Sequence, residues 1–328
     1  MGAAMGKPKD WREVLTVGEA ITVDVPASSG NVGPGFDSLG LALGHYDTVE
    51  IAVQESGLAF ELHGEGSESV PRTEEHLLVR SVRAAWTAAG LVDQPGLAVV
   101  ARNRIPHGRG MGSSASCAVA GVVAANALLA PSARLDDAAI LQVCAGMEGH
   151  PDNVAPSLYG GLTISWGEPG SWHSAPVAVH DDVVPVVAIP NYEVSTALAR
   201  SLLPAQVDHR SAAANAGRAA LLVEAMTRRP DLLLPATADA LHQRFRAPAM
   251  PPSAALVATL REQGHAALIS GAGPTVLTLA PSAEDAAEVE AAIAEFVAHP
   301  DAEREHVTWR VLRLTVPAHG ARVVTHPQ

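Results

Sequence analysis

The chain has 328 residues, 48% of them hydrophobic and 17% charged, which is enough apolar material for a large core and excludes a disordered protein. Its formal net charge of -13 at pH 7 excludes a general nucleic-acid-binding protein, because such proteins present a basic surface. The longest apolar runs, 117–130 and 183–189, are too short or too rich in small residues to cross a bilayer, so no membrane partner is predicted.

Strand and helix signals alternate along the chain, which predicts an α+β protein. In the first half, strands are predicted at 18–28, 42–55, 58–64, 97–106 and 159–166, and helices at 76–90, 113–130 and 138–148. In the second half, strands are predicted within 183–190, 265–280 and 306–316, and helices at 195–203, 211–228, 236–244, 253–263 and 282–298. The Glu-Ser-Gly turn after 42–55 predicts a hairpin or meander, and the loop-rich stretch 167–182 predicts a domain boundary.

The start of the chain lacks the apolar run of a signal peptide, so we expect a cytoplasmic protein whose residues 1–15 form a flexible arm. The two cysteines, Cys117 and Cys144, both lie in apolar segments with helical character. This placement predicts buried free thiols rather than a disulfide framework or a zinc site.

The run RGMGSSAS (109–116) stands between a predicted strand and an apolar helix. Its glycines permit positive φ and close approach to a ligand, and Ser113 or Ser114 is predicted to cap the helix. Unpaired N–H groups and the helix dipole form an anion site that needs no lysine. Taken alone, the run fits an ordinary glycine-rich turn equally well, and it lacks the third glycine of a dinucleotide fingerprint.

Lysine usage narrows the possible phosphate chemistry. The only lysines are Lys7 and Lys9, at the start of the chain. P-loop NTPases, protein kinases and pyridoxal enzymes each need a lysine in the body of the protein, so these three classes are excluded.

Three more loops combine glycines with polar residues. They are PASSGNVGPGFDSLGLAL (26–43) with Asn31 and Asp37, MEGHPDNVAPSLYGG (147–161) with Glu148, His150, Asp152 and Asn153, and ISGAGPTV (269–276). Each loop by itself fits a solvated turn as well as a binding site. A glutamate at a helix end, followed by aspartate and asparagine, is also suited to a hard cation and a hydroxyl group.

In this order and at these separations, the four loops resemble the GHMP kinases. The phosphate loop of that family, P-x-x-x-G-L-G-S-S-A, is matched by Pro106 to Ala115 with Met111 in place of leucine. Within the family, the motifs are most similar to the homoserine kinase group over about residues 20–316. That group shares the long motif from Val23 to Leu43, the H-x-D-N-x-A-P motif from His150, and the S-T-x-x-A-R-x-x-L-P segment from Ser195 to Pro204.

The resemblance implies an α+β GHMP kinase fold with the active site between two domains. Residues 16–170 would form an N-terminal ATP-binding α/β domain with a left-handed βαβ-type phosphate-loop unit, and 171–328 a C-terminal ferredoxin-like α/β sandwich. It also implies a homodimer, and transfer of the γ-phosphoryl group of ATP, with Mg²⁺, to the side-chain hydroxyl of L-homoserine in threonine biosynthesis.

The resemblance also implies roles for individual residues. The ATP-binding residues would be Pro106, His107, Gly108, Arg109, Gly110, Met111, Gly112, Ser113, Ser114, Ala115 and Ser116. Ser114 and Glu148 would bind the metal. The substrate-binding residues would be Asn31, Asp37, Asn153, Arg200 and Arg246, with Asp37 at the ammonium and the two arginines at the carboxylate. The catalytic set would be Asn31, His150, Asp152 and Asn153.

Several alternatives stay open at this point. Asp152 is the base if the chain works like mevalonate kinases, whereas the homoserine kinase pattern implies positioning and charge stabilisation without a dedicated base. His76 stands where many relatives have an asparagine near the adenine. A kinase for another small alcohol, such as mevalonate, leaves Asp37 and the two arginines unexplained. A non-catalytic nucleotide or amino-acid sensor has no need for Glu148 together with the HPDN loop.

Overall fold

The computed structural model describes residues 9–299 and 306–324 and contains two β-sheets with helices packed on them. The strands are β1 (Ala20–Ser29), β2 (Leu39–Gln54), β3 (Leu58–Gly64), β4 (Gly96–Asn103), β5 (Leu162–Glu168), β6 (Ser171–Val177), β7 (Val184–Pro190), β8 (Ala266–Ile269), β9 (Val276–Ala280), β10 (Trp309–Arg313) and β11 (Arg322–Val324). The helices are α1 (Leu77–Ala88), α2 (Ser113–Leu128), α3 (Asp137–Glu148), α4 (Val154–Tyr159), α5 (Thr196–Ser201), α6 (His209–Thr227), α7 (Leu233–Ala236), α8 (Gln243–Arg246), α9 (Pro251–Glu262) and α10 (Ala283–Ala298).

The first sheet has the order β11-β1-β2-β4-β3, and β5 pairs with the other end of β2 and with β6. Strands β3 and β4 are parallel and are joined through α1. The predicted hairpin between β2 and β3 is therefore wrong, because β4 lies between them. The physical reason is burial: Leu97, Val99 and Ala101 of β4 are all buried, whereas alternate residues of β3 are exposed and suit an edge.

The second sheet has the order β10-β7-β9-β8, and all of its pairs are antiparallel. Alternate residues of β7 enter two different cores, Val187 on the side of α6 and Val186 on the side of α9 and α10. A sheet covered on both faces explains the continuous apolar run of β7. The two sheets with their helices confirm the predicted α+β fold class.

A shared core joins the two sheets. Leu39, Leu41 and Leu43 of β2 pack with side chains of the second sheet and α6, whereas Val49 and Ile51 of the same strand pack under α1 and α2. The segment after β10 also returns to the first sheet, where β11 pairs with β1.

Three local predictions differ from the structure. Ser171–Val177, expected in a loop at the start of the second domain, is a strand of the first sheet, because its alternating small and polar residues pair with β5. The predicted helix 236–244 is two short helices, α7 and α8, separated by a turn in which Asp239 accepts N–H bonds. In the predicted arm, residues 1–8 lie outside the described residues, but Trp11 and Leu15 are buried in the core under α1 and α2 and are not flexible.

None of the helices within the described residues is long and apolar enough to span a membrane.

Candidate active site

The phosphate loop connects β4 to α2 and depends on three glycines. Gly108, Gly110 and Gly112 have φ values of 63°, 74° and 69°, a region that favours glycine. A Cβ on Gly110 would lie 2.3 Å from the carbonyl oxygen of Ser270, so a side chain would also clash with the second domain. These glycines let the loop turn tightly and expose its backbone to the cavity.

The start of α2 keeps its N–H groups free of side-chain caps. Gly112 occupies the N-cap position, so the prediction that Ser113 or Ser114 caps the helix is wrong. The hydroxyl group of Ser114 instead donates to Glu148 Oε2 at 2.9 Å. Uncapped N–H groups at the positive end of a helix are suited to bind phosphate oxygens.

Some of the predicted ATP-binding residues line the cavity, and the others support the phosphate loop from below. Residues 106–114 line the cavity. Met111 is buried in the core shared by the two sheets. Ala115 and Ser116 are buried beneath the cavity, where the Ser116 hydroxyl donates to Pro26 O at 2.8 Å. We therefore assign Ala115 and Ser116 to support of the loop rather than to contact with a ligand.

Contacts from the second domain hold the phosphate loop. Val194 N–H donates to Gly108 O at 3.1 Å, and the Ser270 hydroxyl donates to Gly110 O at 2.6 Å. The guanidinium group of Arg109 donates to Pro190 O at 3.0 Å and to Asn191 O at 3.4 Å. Because the Arg109 side chain is committed to these carbonyls, its contribution to ligand binding is limited to its backbone.

The cavity itself has a volume of about 600 Å³ and lies between the phosphate loop, the start of α1 and the second domain. Glu148, His150 and Asn153 line it together with Asn31 and the two arginines, Arg200 and Arg246. The structure thus brings together most of the predicted site residues, which come from five separate stretches of sequence.

Glu148 is the last residue of α3, and its carboxylate accepts the hydrogen bond from the Ser114 hydroxyl beside the phosphate loop. Burial raises the pKa of Glu148, and the hydrogen bond from Ser114 opposes this rise. A carboxylate and a hydroxyl next to a phosphate site are hard oxygen donors, which fit Mg²⁺. Within the described residues there is no cluster of three or more His, Cys, Asp or Glu side chains suited to a metal, so further ligands would have to be phosphate oxygens and water.

Asp152 is buried and does not line the cavity. Its Oδ2 accepts from Asn31 N–H at 2.9 Å, and its Oδ1 contacts His150 Nδ1 at 2.5 Å. That hydrogen bond raises the pKa of His150. Asn153 is held by Gly30 N–H, which donates to Asn153 Oδ1 at 2.9 Å. The HPDN loop is therefore anchored to the loop that contains Asn31.

Asn31 and Asp37 are the two non-glycine residues with positive φ within the described part of the chain, at 51° and 53°. The Asn31 side chain accepts from Asp37 N–H at 2.9 Å, which fixes the loop between them. Asp37 binds the guanidinium of Arg200 through both oxygens, at 2.9 and 3.1 Å. The predicted ammonium and carboxylate ligands are thus direct neighbours.

Arg246 completes a cationic group with Arg200. Both guanidinium groups lie over the ring of Phe36, at 5.4 and 5.6 Å from its centroid. Arg246 is 1% exposed, and its Nε has no hydrogen-bond partner among the described residues. Burial, followed by the positive charge of Arg200, lowers the pKa of Arg246. A buried cation with a free N–H group suits a small anion that enters the cavity.

Sequence reasoning missed two residues that orient Arg246. The first is Phe36, and the second is His242, which is fully buried. His242 Nδ1 accepts from Arg246 at 3.2 Å, and its Nε2 lies 2.8 Å from Gly33 O. A signal for Phe36 was present in its position next to Asp37, but nothing near His242 in the sequence points to the loop around Gly33.

The end of the cavity away from Arg246 is mainly apolar. Val49 of β2 and Leu77 of α1 line it together with Cys117, one turn into α2. His76 lies at the start of α1, where its Nδ1 accepts from Leu78 N–H at 3.2 Å, so it caps the helix. Cys117 and Cys144 are both free thiols, Cys144 buried and Cys117 partly exposed.

Comparisons with known proteins identify the family of the chain. Two family models match, the GHMP kinases N terminal domain at residues 76–161 and the GHMP kinases C terminal domain at 211–299. Homoserine kinase of Streptomyces coelicolor is 58% identical over 83% of this chain and 88% of its own length. Homoserine kinase of Streptomyces avermitilis is 53% identical over 93% of this chain and 96% of its own length.

The solved structure of homoserine kinase from Cytophaga hutchinsonii is similar with a TM-score of 0.82 and 26% identity, covering 94% of this chain and 98% of that one. Two relatives share more than half of their aligned residues with this chain over most of their length, and both domain models of the family match it. The chain belongs to the homoserine kinase family of the GHMP kinases.

Proposed function

We propose that this chain transfers the γ-phosphoryl group of ATP to the side-chain hydroxyl of L-homoserine, giving ADP and O-phospho-L-homoserine in threonine biosynthesis. One observation carries the proposal: the cavity that contains the backbone anion site is also lined by Arg200 and Arg246, and Asp37, which does not line it, binds Arg200 directly. Membership of the homoserine kinase family supports the same acceptor.

The phosphate side uses backbone groups and a metal. The N–H groups of 108–114 would hold the β- and γ-phosphates, helped by the positive end of α2. Ser114 and Glu148 would hold Mg²⁺, which when bound supplies positive charge that neutralises phosphate oxygens. These groups replace the lysine that other nucleotide sites use, and they act although the chain has a net charge of -13.

The acceptor side offers cationic groups for the carboxylate of an amino acid and an anionic group for its ammonium. The carboxylate of homoserine would bind between Arg200 and Arg246, where guanidinium groups donate to both oxygens. By competing for Arg200, that carboxylate would release an oxygen of Asp37, which at present binds Arg200 alone. The released oxygen would then accept a hydrogen bond from the substrate ammonium.

Transfer needs the acceptor hydroxyl in line with the γ-phosphorus. The hydroxyl oxygen forms the new bond to phosphorus as the bond to the bridging oxygen of ADP breaks, and the hydroxyl proton leaves to a phosphoryl oxygen or to water. Asn153 is suited to orient the hydroxyl, because its Oδ1 is fixed by Gly30 N–H and its amide nitrogen is left for a ligand. Since the transition state is loose, positioning contributes more than removal of the proton. Asp152 would hold His150 and the Asn31 loop in place.

Two further parts of the proposal are a homodimer, which the family resemblance alone supports, and a cytoplasmic location. Sedimentation equilibrium of the purified chain tests the first, with a mass twice that of the 33.8 kDa monomer as the expected result.

The experiment that tests the proposal is ADP release with homoserine, mevalonate, galactose and shikimate at equal concentration. We expect turnover with homoserine and little with the other three, because these lack the ammonium group that Asp37 is suited to bind. Turnover confined to mevalonate would favour another GHMP kinase activity. Nucleotide binding without turnover on any acceptor would favour a sensor.

A variant at the acceptor side localises the substrate. Arg200→Gln should raise the KM for homoserine by about ten- to a hundredfold, the loss expected for a charged hydrogen-bond pair, and should leave the KM for ATP nearly unchanged. Arg228→Gln is the matched control, because Arg228 is exposed and pairs with Glu224 on the surface. Equal KM values for homoserine in the two variants would contradict the assignment.

A further inference from the structure

Asp47 is an acidic residue at the apolar end of the cavity that the proposed mechanism does not use. It lies on β2 on the same face as Val49 and Ile51, both of which are buried under α1 and α2. Asp47 is 4% exposed, and it lines the cavity where that buried face ends. A carboxylate at this position interrupts an otherwise hydrophobic strand face. Burying a carboxylate costs free energy unless its oxygens are hydrogen-bonded.

One carboxylate oxygen of Asp47 accepts two backbone hydrogen bonds, and the other accepts none from the described residues. Oδ1 accepts from Arg104 N–H at 2.6 Å and from Ile105 N–H at 2.9 Å. Nothing in the described part of the chain donates a hydrogen bond to Oδ2. Burial raises the pKa of Asp47 to about 6, so the carboxylate is mostly ionised at neutral pH. Oδ2 is not among the fully buried polar atoms that lack a partner, and Asp47 lines the cavity, so this oxygen is open to a donor on a ligand.

The position of Asp47 is suited to the base of a nucleotide. With the phosphates at the start of α2 and the acceptor at Arg200 and Arg246, the rest of the nucleotide would occupy the part of the cavity that Cys117 and Val49 line. Asp47 is near enough to Cys117 that its charge contributes to raising the thiol pKa. The apolar walls supplied by Val49 and Leu77 are suited to the two faces of a planar ring.

We propose that Asp47 Oδ2 accepts a hydrogen bond from the exocyclic amine of adenine and thereby selects ATP over 6-oxopurine nucleotides. Adenine presents an amine donor at position 6, whereas guanine and hypoxanthine present a carbonyl acceptor there. A carbonyl oxygen facing the carboxylate loses the hydrogen bond and is repelled. The inference rests on the proposed use of a purine nucleotide as donor and does not depend on the acceptor alcohol.

The test is the affinity of the purified chain for ADP and for IDP, measured by titration calorimetry without any acceptor. The wild-type chain should prefer ADP by about tenfold or more, the effect of one charged hydrogen bond. In Asp47→Asn, the amide oxygen still accepts from Arg104 and Ile105, and the amide NH₂ takes the place of Oδ2. A donor now faces position 6, so the ADP-to-IDP preference should fall by at least about tenfold.

Asp24→Asn is the matched control, because Asp24 lies on β1 outside the cavity and accepts from Thr48 at 2.7 Å. Its ADP-to-IDP preference should equal that of the wild type. A change in the sheet alone does not replace the hydrogen-bond acceptor that faces position 6 of the purine with a donor. An unchanged preference in folded Asp47→Asn would overturn the proposal.

If Asp47→Asn does not fold, the wild-type chain still decides with purine riboside diphosphate, which lacks the amine. Equal affinity for this compound and ADP would overturn the proposal, and about tenfold weaker binding would support it. Because no acceptor is present, either result is independent of whether homoserine is the substrate.

Discussion

Asp152 shows how the surroundings of one residue decide its role. Its two oxygens are taken by Asn31 N–H and His150, and the residue is buried outside the cavity lining. A general base must reach the proton that it removes, directly or through one water. Because Asp152 does not line the cavity, we infer that it positions Asn31 and His150 rather than removing the proton of the acceptor hydroxyl.

We therefore expect Asp152→Asn to lower kcat by less than about a hundredfold, below the usual effect of losing a general base. The amide still offers one oxygen to Asn31 N–H, so much of the loop geometry is kept. Steady-state rates at saturating ATP and homoserine check this. A loss of a thousandfold or more in a variant with unchanged thermal stability would restore Asp152 as the base.

Asp47 gives a pH dependence to stability whose sign follows from its burial. Its pKa is about 6 in the folded chain against an ordinary 3.8, so the folded state holds the proton more tightly. Its contribution to stability is complete below about pH 4 and is lost as the pH rises through about 6.

Asp47→Asn removes this loss, so without nucleotide the variant should be more stable than the wild type at neutral pH, by an order of 2–3 kcal/mol. The advantage should shrink as the pH falls from about 6 to about 4. Urea unfolding of both proteins over this range measures it. A stability difference that does not vary with pH would show that Asp47 does not titrate in this way.

At the scale of elements, the phosphate loop depends on the second domain. Its carbonyls accept from Val194 and Ser270, and Arg109 donates back to the end of β7. These hydrogen bonds form a clamp between the phosphate loop and the residues at the ends of β7 and β8.

Arg109→Met should raise the KM for ATP by about tenfold, because the loop loses hydrogen bonds worth about 1 kcal/mol each. Arg109→Lys should not restore it, since one ammonium group does not reproduce the fork that reaches Pro190 and Asn191. Arg310→Met, which removes an exposed arginine near Glu65, is the control. Equal KM values in Arg109→Met and Arg310→Met would refute the clamp.

Elements with local signals were predictable, and those that depend on distant partners were not. The glycine-rich start of α2 and the position of Glu148 at the end of α3 follow from residues next to them in sequence. The insertion of β4 between β2 and β3 depends on relative burial across the sheet, which a short turn between neighbours does not reveal. Strand β6 was missed because its Ser, His and Pro residues resemble a loop.

The same limit applies to the site. The motifs brought Asn31, Asp37 and Arg200 into the predicted site because each stands in a distinctive run of residues. The different environments of Asp152 and Asp47 were not predictable, since their partners lie 121 and 57 residues away in the chain. Burial and hydrogen-bond partners of a carboxylate depend on the fold.

At the scale of the whole molecule, the last described segment links the two domains. Pro317 O accepts from Gly161 N–H at 2.8 Å, and Ala321 N–H donates to Ser157 O at 2.8 Å. Between these contacts, Gly320 is buried against α4, where an added Cβ would lie 2.3 Å from the carbonyl carbon of Leu158. The segment therefore passes so close to α4 that only glycine fits.

Gly320→Ala should lower the free energy of unfolding by an order of 1–3 kcal/mol, because backbone atoms on both sides have to move. Gly217→Ala is the matched control: Gly217 lies within α6 with no neighbour within 4 Å of an added Cβ, so alanine should leave stability unchanged or raise it. Chemical denaturation of the two variants compares them. Equal free energies of unfolding would show that the segment around Gly320 moves away from α4 at little cost.

Strand β2 is shared by both cores, with Leu39 and Leu41 on the side of the second sheet and Val49 and Ile51 under α1 and α2. Its ladder with β1 joins the two cores, but the register of that ladder shifts once, between Pro26 and Ala27, where β2 passes from one core to the other. A rotation of one core against the other would therefore bend the sheet at this place. On the cavity side, the segment 191–196 meets the phosphate loop through Val194.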